Sequence, residues 1–564
     1  MATLEKRASE GSDEHTNKAP VAAYSLDERR RAALSEVDNA KFSWFHFKVC
    51  MVAGVGFFTD AYVIPVFIRR LCFLILFLSS YDIFAINIAS TMLGYVYGAG
   101  GVLNASQDLG VKVATPVGTL VGQLFFGWLA DRVGRKRMYG VELMIMIVAT
   151  FAQALSGNAG AVNIIGALVV WRFIMGVGVG GDYPLSAVIS SEFSSTHIRG
   201  RLMTAVFASQ GWGNFAAALV ALVVVSAYKT QLLSETTTNP IAIDYMWRLL
   251  IGLGCVPAVL ALYFRLTIPE TPRFTMDIER NLDQATADIV GALRHQDVDY
   301  DPDNIRRIAA PKASWSDFSQ HFGKWENGKV LFGAAYSWFA LDIAFYGLGL
   351  NSSIILTAIG FGTPDTSLKG TLKQYQNLYN ISVGNLVLSV AGLIPGYWAS
   401  FLVIDSWGRK PIQLMGFIVL TILFVIMGFG YNAMIATPAG TKVFVFLYCL
   451  ADFFQNFGPN VTTFVIPGEV FPTRYRSTSH GISAASGKFG AIVAQVGFAQ
   501  LKNIGGTNAF LPHILEIFAF FMLTGIFSTL LLPETKGKSL EELSNENQDG
   551  FVQGYVHNST NQRV

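Results

Sequence analysis

An all-α, polytopic membrane protein built from two repeated halves is the fold that the sequence predicts. Three observations carry it. Apolar residues make up 52% of the 564 residues and charged ones only 14%, well below the roughly 25% charged share of a soluble domain. The apolar residues gather into runs close to the about 20 residues that a membrane-spanning helix needs. Polar landmarks between those runs recur in the second half of the chain, in the same order.

Asp131-Arg132-Val-Gly134-Arg135-Lys136 is answered by Asp405-Ser-Trp-Gly408-Arg409-Lys410, and Glu192 with Arg199 by Glu469 with Arg474 and Arg476. Pro269-Glu270-Thr271 is answered by Pro533-Glu534-Thr535, so the three offsets are 274, 277 and 264 residues. One such match is plausible by chance. Three in order imply two homologous bundles, an architecture that places a substrate site at mid-membrane between the halves.

Taken in order, residues 1–43 are polar and charged without an apolar core, which reads as a disordered cytoplasmic tail and not a signal peptide. An amino-terminal six-helix bundle follows over 44–267, with apolar runs near 46–59, 82–101, 111–130, 138–158, 161–191, 202–226 and 246–267. Residues 268–329 are a soluble, partly helical central loop. The carboxy-terminal six-helix bundle spans 330–532, with runs near 330–350, 376–404, 411–431, 441–466, 478–500 and 508–532, and a charged tail occupies 533–564. Basic clusters at Arg29 to Arg31, Arg132 to Arg137, the central loop and Arg409-Lys410 put those segments, and both termini, on the cytoplasmic side.

Several function classes are excluded. A net charge of +2 offers no electrostatic footprint for nucleic acid. The four cysteines and eight histidines are scattered, without disulfide, metal-ligand or nucleophile–base spacing, so neither an enzyme nor a cofactor is expected.

Ionisable residues inside membrane helices are costly and mark function. Those within or at the ends of the apolar runs are Asp60, Asp82, Asp182, Glu192, Asp342, Asp452, Glu469 and Lys488. Glu192 and Glu469, beside Arg199 and Arg474, read as salt bridges that hold a closed state, and Asp452 reads as structural. Asp182 follows a glycine stripe and precedes Tyr183-Pro184, where the proline is expected to disturb the helix beside the carboxylate. Trp338, Asp342 and Tyr346 fall at i, i+4 and i+8 and so share a helix face. Lys488 is a lone cation that needs an anion, either a carboxylate such as Asp342 or a substrate. Gln210, Asn456 and Asn460 add neutral donors suited to oxyanion oxygens.

The landmarks resemble the major facilitator superfamily, twelve helices in two six-helix bundles. GFFTDAY, YDIFAIN, GGDYPLSAVISSE, WFALDIAFYG, NFGPNVTTF, GEVFPTRYRSTSHGISAASGK and the PETKGKSLEE tail together look like the fungal high-affinity proton-coupled phosphate transporters. The resemblance implies a substrate pocket of Tyr183, Gln210, Trp338, Asp342, Tyr346 and Asn460, with Lys488 beside it. It assigns proton coupling to Asp60, Asp82, Asp182 and Asp342. Gating falls to Asp131, Arg132, Arg135, Glu192, Asp405, Arg409, Glu469 and Arg474. The expected function is import of H2PO4- with protons across the plasma membrane. An organophosphate symporter, such as one for glycerophosphodiesters, and a phosphate-sensing receptor without transport are the rivals; a sugar porter fits the charged residues less well. Partners are inorganic phosphate, protons and the bilayer, with the tails and central loop as surfaces for regulatory cytoplasmic proteins.

One stretch departs from the family pattern. Residues 63–81 interrupt a motif that the family reads as FFTDAYDIFAIN, and they place Pro65, Arg69 and Arg70 inside the first helix. Removing them returns Tyr62 to the position just before Asp82. The codons of Ala61 to Val63 and of Ser80 can supply the ends of a retained 57-nucleotide intron, the expected origin of these 19 residues.

Overall fold

The structure is a computed structural model of the full chain, and it describes residues 78–233, 240–266, 270–277, 314–359, 368 and 370–545. The amino-terminal tail, residues 546–564 of the carboxy-terminal tail, most of the central loop, Asp60 and residues 63–77 of the inserted stretch lie outside the described residues. Among those described there is no β-strand, only one isolated bridge between Ala159 and Val162.

The first half comprises α1 (Leu78–Tyr97), α2 (Ala105–Val133), α3 (Arg135–Leu155), α4 (Ile164–Phe193), α5 (Arg199–Ala227), and the pair α6 (Pro240–Gly252) and α7 (Cys255–Leu266). The short α8 (Trp315–Gly323) leads into α9 (Trp325–Gly349) and α10 (Ser352–Ala358). The second half continues with α11 (Gly370–Leu388), a π-helical turn over Ser389–Leu393, and α12 (Ile394–Trp407). It is completed by α13 (Arg409–Phe429), α14 (Pro438–Asn456), α15 (Pro459–Val470), α16 (Arg476–Leu501), α17 (Leu511–Leu530) and the tail turn α18 (Leu540–Leu543). Ten helical spans among the described residues are long and apolar enough to cross a membrane. With α1 and the broken α14–α15 span, they fall into two sets of six.

Two expectations of local structure are corrected. Pro184 does not disturb α4, which runs unbroken from Ile164 to Phe193, because the neighbouring helices support it where its missing donor would weaken an isolated helix. The run 441–466, by contrast, is two helices. It parts at Phe457-Gly458 and restarts with Pro459 in the first turn, where a missing amide costs nothing.

Small residues set the closest helix contacts. A Cβ on Gly118 would stand 2.1 Å from the Phe173 carbonyl oxygen, and one on Gly180 would stand 2.4 Å from that of Thr119. Helices α2 and α4 therefore touch backbone to backbone, which is how helices gain attraction where water cannot drive association. Gly134 and Gly408, in the matched loops, both have positive φ, 110° and 109°. A side chain there would be strained, and glycine is the residue that ends one helix and starts the next at once.

Candidate functional site

The centre of the molecule is a buried ion pair. Lys488 Nζ on α16 donates to Asp342 Oδ2 on α9 at 2.7 Å, and the two side chains are 3% and 2% exposed. Two tyrosines flank the ammonium: its nitrogen lies 4.5 Å from the Tyr346 ring centroid and 4.9 Å from that of Tyr183. Tyr183 comes from α4, so the pair is sandwiched between halves. Trp338 packs edge-on against Tyr183 at 6.4 Å and against His480 at 5.4 Å. There is no space to spare, since a Cβ on Gly487 would meet Trp338 Cδ1 at 2.5 Å and Asp342 Oδ2 at 2.9 Å.

A polar chain lies alongside. Tyr397 donates its hydroxyl proton to Gln210 Oε1 at 2.9 Å, and Asn460 Nδ2 donates to the Tyr397 oxygen at 2.8 Å and to Asn456 Oδ1 at 2.7 Å. Gln210 is on α5, Tyr397 on α12 and Asn460 at the start of α15, so the chain also crosses between halves. Sequence reasoning missed Tyr397, whose surroundings in IPGYWASF read as ordinary apolar helix. It missed Glu142 as well, fully buried on α3, whose Oε2 would lie 2.5 Å from a Cβ on Gly181. A charge inside YGVELMIMIV was the available signal.

The structure distributes the remaining carboxylates. Asp182 Oδ1 accepts from Ser186 Oγ at 2.9 Å, and Ser186 is joined to the Tyr139 hydroxyl, also at 2.9 Å. Asp82 Oδ2 accepts from Thr150 Oγ1 at 2.8 Å, beside the turn that interrupts the helix between α6 and α7, where a Cβ on Gly254 would lie 2.3 Å from Oδ1. Among the described residues, no hydrogen bond or ion pair joins either residue to the Asp342–Lys488 pair.

At the end bearing the repeated motifs, the two halves cap each other's helices. Asp131 accepts from the backbone amides of Ser477 (3.2 Å) and Thr478 (2.7 Å) and from the Thr478 hydroxyl (2.7 Å). These donors open α16 of the second half, where unpaired amides and the helix dipole favour an anion. Its counterpart Asp405 accepts from the amides of Gly200 (3.1 Å) and Arg201 (2.9 Å), at the start of α5 in the first half. Glu270 and Glu534 do the same within their own halves, for Arg135 and Lys136 and for Arg409 and Lys410. Burial pushes the Glu270 carboxyl up, only partly offset by the amides and Arg135 beside it.

The guanidinium partners differ from the expected ones. Glu192 pairs with Arg476 at 2.7 Å and Arg135 at 3.6 Å, not with Arg199, whose Nη1 donates to the Lys538 carbonyl. Glu469 pairs with Arg409 at 2.9 Å, while Arg474 reaches Asp317 on α8 at 2.7 Å. Nearness in sequence misled here. Arg199 and Arg474 lie at or beside the turns that start the next helix and are buried against other partners, while Glu192 takes Arg476 of the opposite half and Glu469 takes Arg409. Arg132 lies over the Trp128 ring at 4.6 Å instead of in the network.

The opposite end is also shut. Asn87 Nδ2 donates to Ser352 Oγ at 2.5 Å, Ser352 Oγ donates to Asn385 Oδ1 at 2.6 Å, and Asn377 Nδ2 donates to the Tyr95 hydroxyl at 2.8 Å. Bonds between halves at both ends, with a charged pair enclosed between them, describe an occluded state of a two-bundle carrier.

The pattern of the family described as "Sugar (and other) transporter" matches residues 71–546. The chain is 48% identical to the repressible high-affinity phosphate permease of Neurospora crassa, over 92% of this chain and 90% of that one. It is also 48% identical to the inorganic phosphate transporter PHO84 of Saccharomyces cerevisiae, over 92% and 87% of the two chains. Among solved structures, a proton:xylose symporter of the major facilitator superfamily, XylE, superposes with a TM-score of 0.63 at 19% identity, covering 89% of this chain and 98% of that one. An inward open conformation of XylE from E. coli gives 0.56 at 21% identity, with 88% and 99% covered. The likeness to these structures concerns the fold, and it matches the twelve-helix architecture.

Proposed function

Because the chain belongs to the sugar (and other) transporter family of the major facilitator superfamily, on the branch of the inorganic phosphate transporters, we propose that it imports H2PO4- together with protons by alternating access. It is a multi-pass membrane transporter and not an enzyme. We assign it to the plasma membrane with both termini cytoplasmic, which makes the motif end the inner gate. The division into a tail over 1–43, bundles over 44–267 and 330–532, a central loop over 268–329 and a tail over 533–564 belongs to the same reading.

The observation that carries the proposal is the Lys488–Asp342 pair clasped by Tyr183 and Tyr346. An isolated charge at this depth is prohibitively costly, so the lysine must always have an anion. In the empty state that anion is Asp342. When Asp342 takes a proton it releases Lys488, and a monovalent phosphate replaces the carboxylate. The hydroxyls of Tyr183 and Tyr346, the Trp338 indole, Gln210 and Asn460 then bond the phosphate oxygens. Deprotonation on the inner side restores the pair and expels the anion, since two negative charges cannot share one ammonium. Asp82, Asp182 and Asp60 are proposed to pass protons, and the caps made by Asp131 and Asp405, with the Arg135–Glu192 and Arg409–Glu469 pairs, to hold the inner gate. Residues 63–81 are proposed to be a retained intron.

Uptake of labelled phosphate into proteoliposomes under an imposed proton gradient tests this, for the full chain and for a form without residues 63–81. Gradient-driven accumulation is expected from the shortened form. Accumulation of a glycerophosphodiester in preference to inorganic phosphate, or saturable binding without accumulation by either form, would overturn it.

A further inference from the structure

Asp452 stands apart from the central pair. It lies on α14, one turn before Asn456, and is only 6% exposed. Its backbone carbonyl accepts from Asn456 Nδ2 at 2.7 Å, but its carboxylate has neither a hydrogen bond nor an ion pair among the described residues. It faces a cavity of about 20 Å³, room for about one water. Phe84 of α1 and Asn214 of α5 form one wall, and Ser352, Asn385 and Ser389 form another. The titratable groups near it, Tyr448 and Cys449, are on its own helix. Nothing charged faces it from α1, α5, α9, α10, α11 or the π-helical turn. That turn presses against it: a Cβ on Gly392 would stand 2.7 Å from Asp452 Cβ.

A carboxylate so enclosed, without a cation or a donor, is not stable as an anion. In this closed arrangement it must hold its own proton. The cavity is walled by both halves, so any rocking that parts α1 and α5 from the second half admits water to Asp452 and lets that proton leave. π-Turns cluster at functional sites because they re-aim a helix at the cost of regular bonding, and this one carries Ser389 into the same cavity. We propose that Asp452 is a second proton-carrying site, separate from the Asp342–Lys488 pair and emptied or filled as the halves part. The step is transfer of one proton between the carboxyl group and water, with no bond made to substrate. This rests on the reading of the chain as a proton-coupled carrier and adds to it a proton that phosphate never touches.

The test uses the full chain, the form without residues 63–81 and the Asp452→Asn variant of each in proteoliposomes, with labelled phosphate and an internal pH indicator. Phosphate uptake is expected to persist in D452N, with one proton fewer entering per phosphate. Infrared spectra of the same samples should show a protonated-carboxyl band that D452N lacks and Asp452→Glu shifts; the latter serves if D452N fails to fold. An unchanged proton-to-phosphate ratio overturns the proposal even if the band is lost, because that proton then stays in place. Spectra identical in wild type and D452N overturn it directly. If neither the full chain nor the form without residues 63–81 accumulates phosphate, the transport reading fails, and the band still decides on Asp452 by whether it titrates with pH.

Discussion

Replacing Lys488 with methionine removes the cation and leaves Asp342 buried without its 2.7 Å partner. Breaking a buried pair in this way costs roughly 3–5 kcal/mol. The loss is capped by the alternative open to Asp342, which is to take up a proton at about 1.4 kcal/mol for each pH unit that separates it from its new titration point. Stability of Lys488→Met should therefore recover as the pH is lowered. Asp342→Asn leaves the ammonium uncompensated instead, so it should recover as the pH is raised. The double variant removes both charges at once. It should be more stable than either single variant, with a coupling energy of about 2–4 kcal/mol, because replacing a whole buried pair is often neutral. Thermal unfolding of the purified protein in detergent, run as a double-mutant cycle at three pH values, measures this. All three variants should lose phosphate uptake. A double variant less stable than both singles, or single variants as stable as wild type at every pH, would refute the claim that the pair is an enclosed, mutually dependent unit.

Asp131→Ala removes three bonds that cap α16 across the two halves, at roughly 0.5–2 kcal/mol. It should shift the population toward opening at the motif end by about two- to thirtyfold, read as faster labelling of a cysteine placed behind that gate. Gly118→Val drives a side chain into the Phe173 carbonyl 2.1 Å away, so monodisperse protein in size-exclusion chromatography should be largely lost. Burial pushes Glu541 upward, yet Arg273, 2.8 Å away, and Arg476 overcome it and hold the carboxyl at about 2. Its stabilisation is present above the ordinary glutamate value near 4.3 and lost as the pH falls from there toward 2, so Glu541→Gln should flatten the acid limb of the stability curve, by on the order of 2 kcal/mol. Ser80 is buried with its hydroxyl unpartnered, and excision of residues 63–81 would put Ala61 in its place. Ser80→Ala should raise stability by about 1 kcal/mol, and messenger sequences across the junction should contain a form shorter by 57 nucleotides.

The end of the inserted stretch takes part in regular structure. Its last four residues, Leu78 to Tyr81, form the first turn of α1, and the Tyr81 hydroxyl donates to the Leu250 carbonyl. A tyrosine precedes Asp82 with or without the insertion, so the helix meets the same partner in either case.

The sequence by itself determined the class of fold, its two-fold repeat and the residue types of the central site. Hydrophobic runs, matched motifs and ions placed in apolar helices are all properties of a chain read in one dimension. It supplied Asp342 and Lys488 as residues in need of partners, because the cost of a buried charge does not depend on where the partner comes from. Only the tertiary structure decided the pairings. Glu192 turned to Arg476, 284 residues away, Arg474 turned to Asp317, and Tyr397 joined Gln210 to Asn460 from a segment without a visible signal. Asp452, read from the sequence as structural, became a candidate proton site only when the fold showed its carboxylate facing a cavity with nothing to bind. Partner choice depends on helix rotation and crossing, which packing of the whole bundle sets and which no single helix encodes.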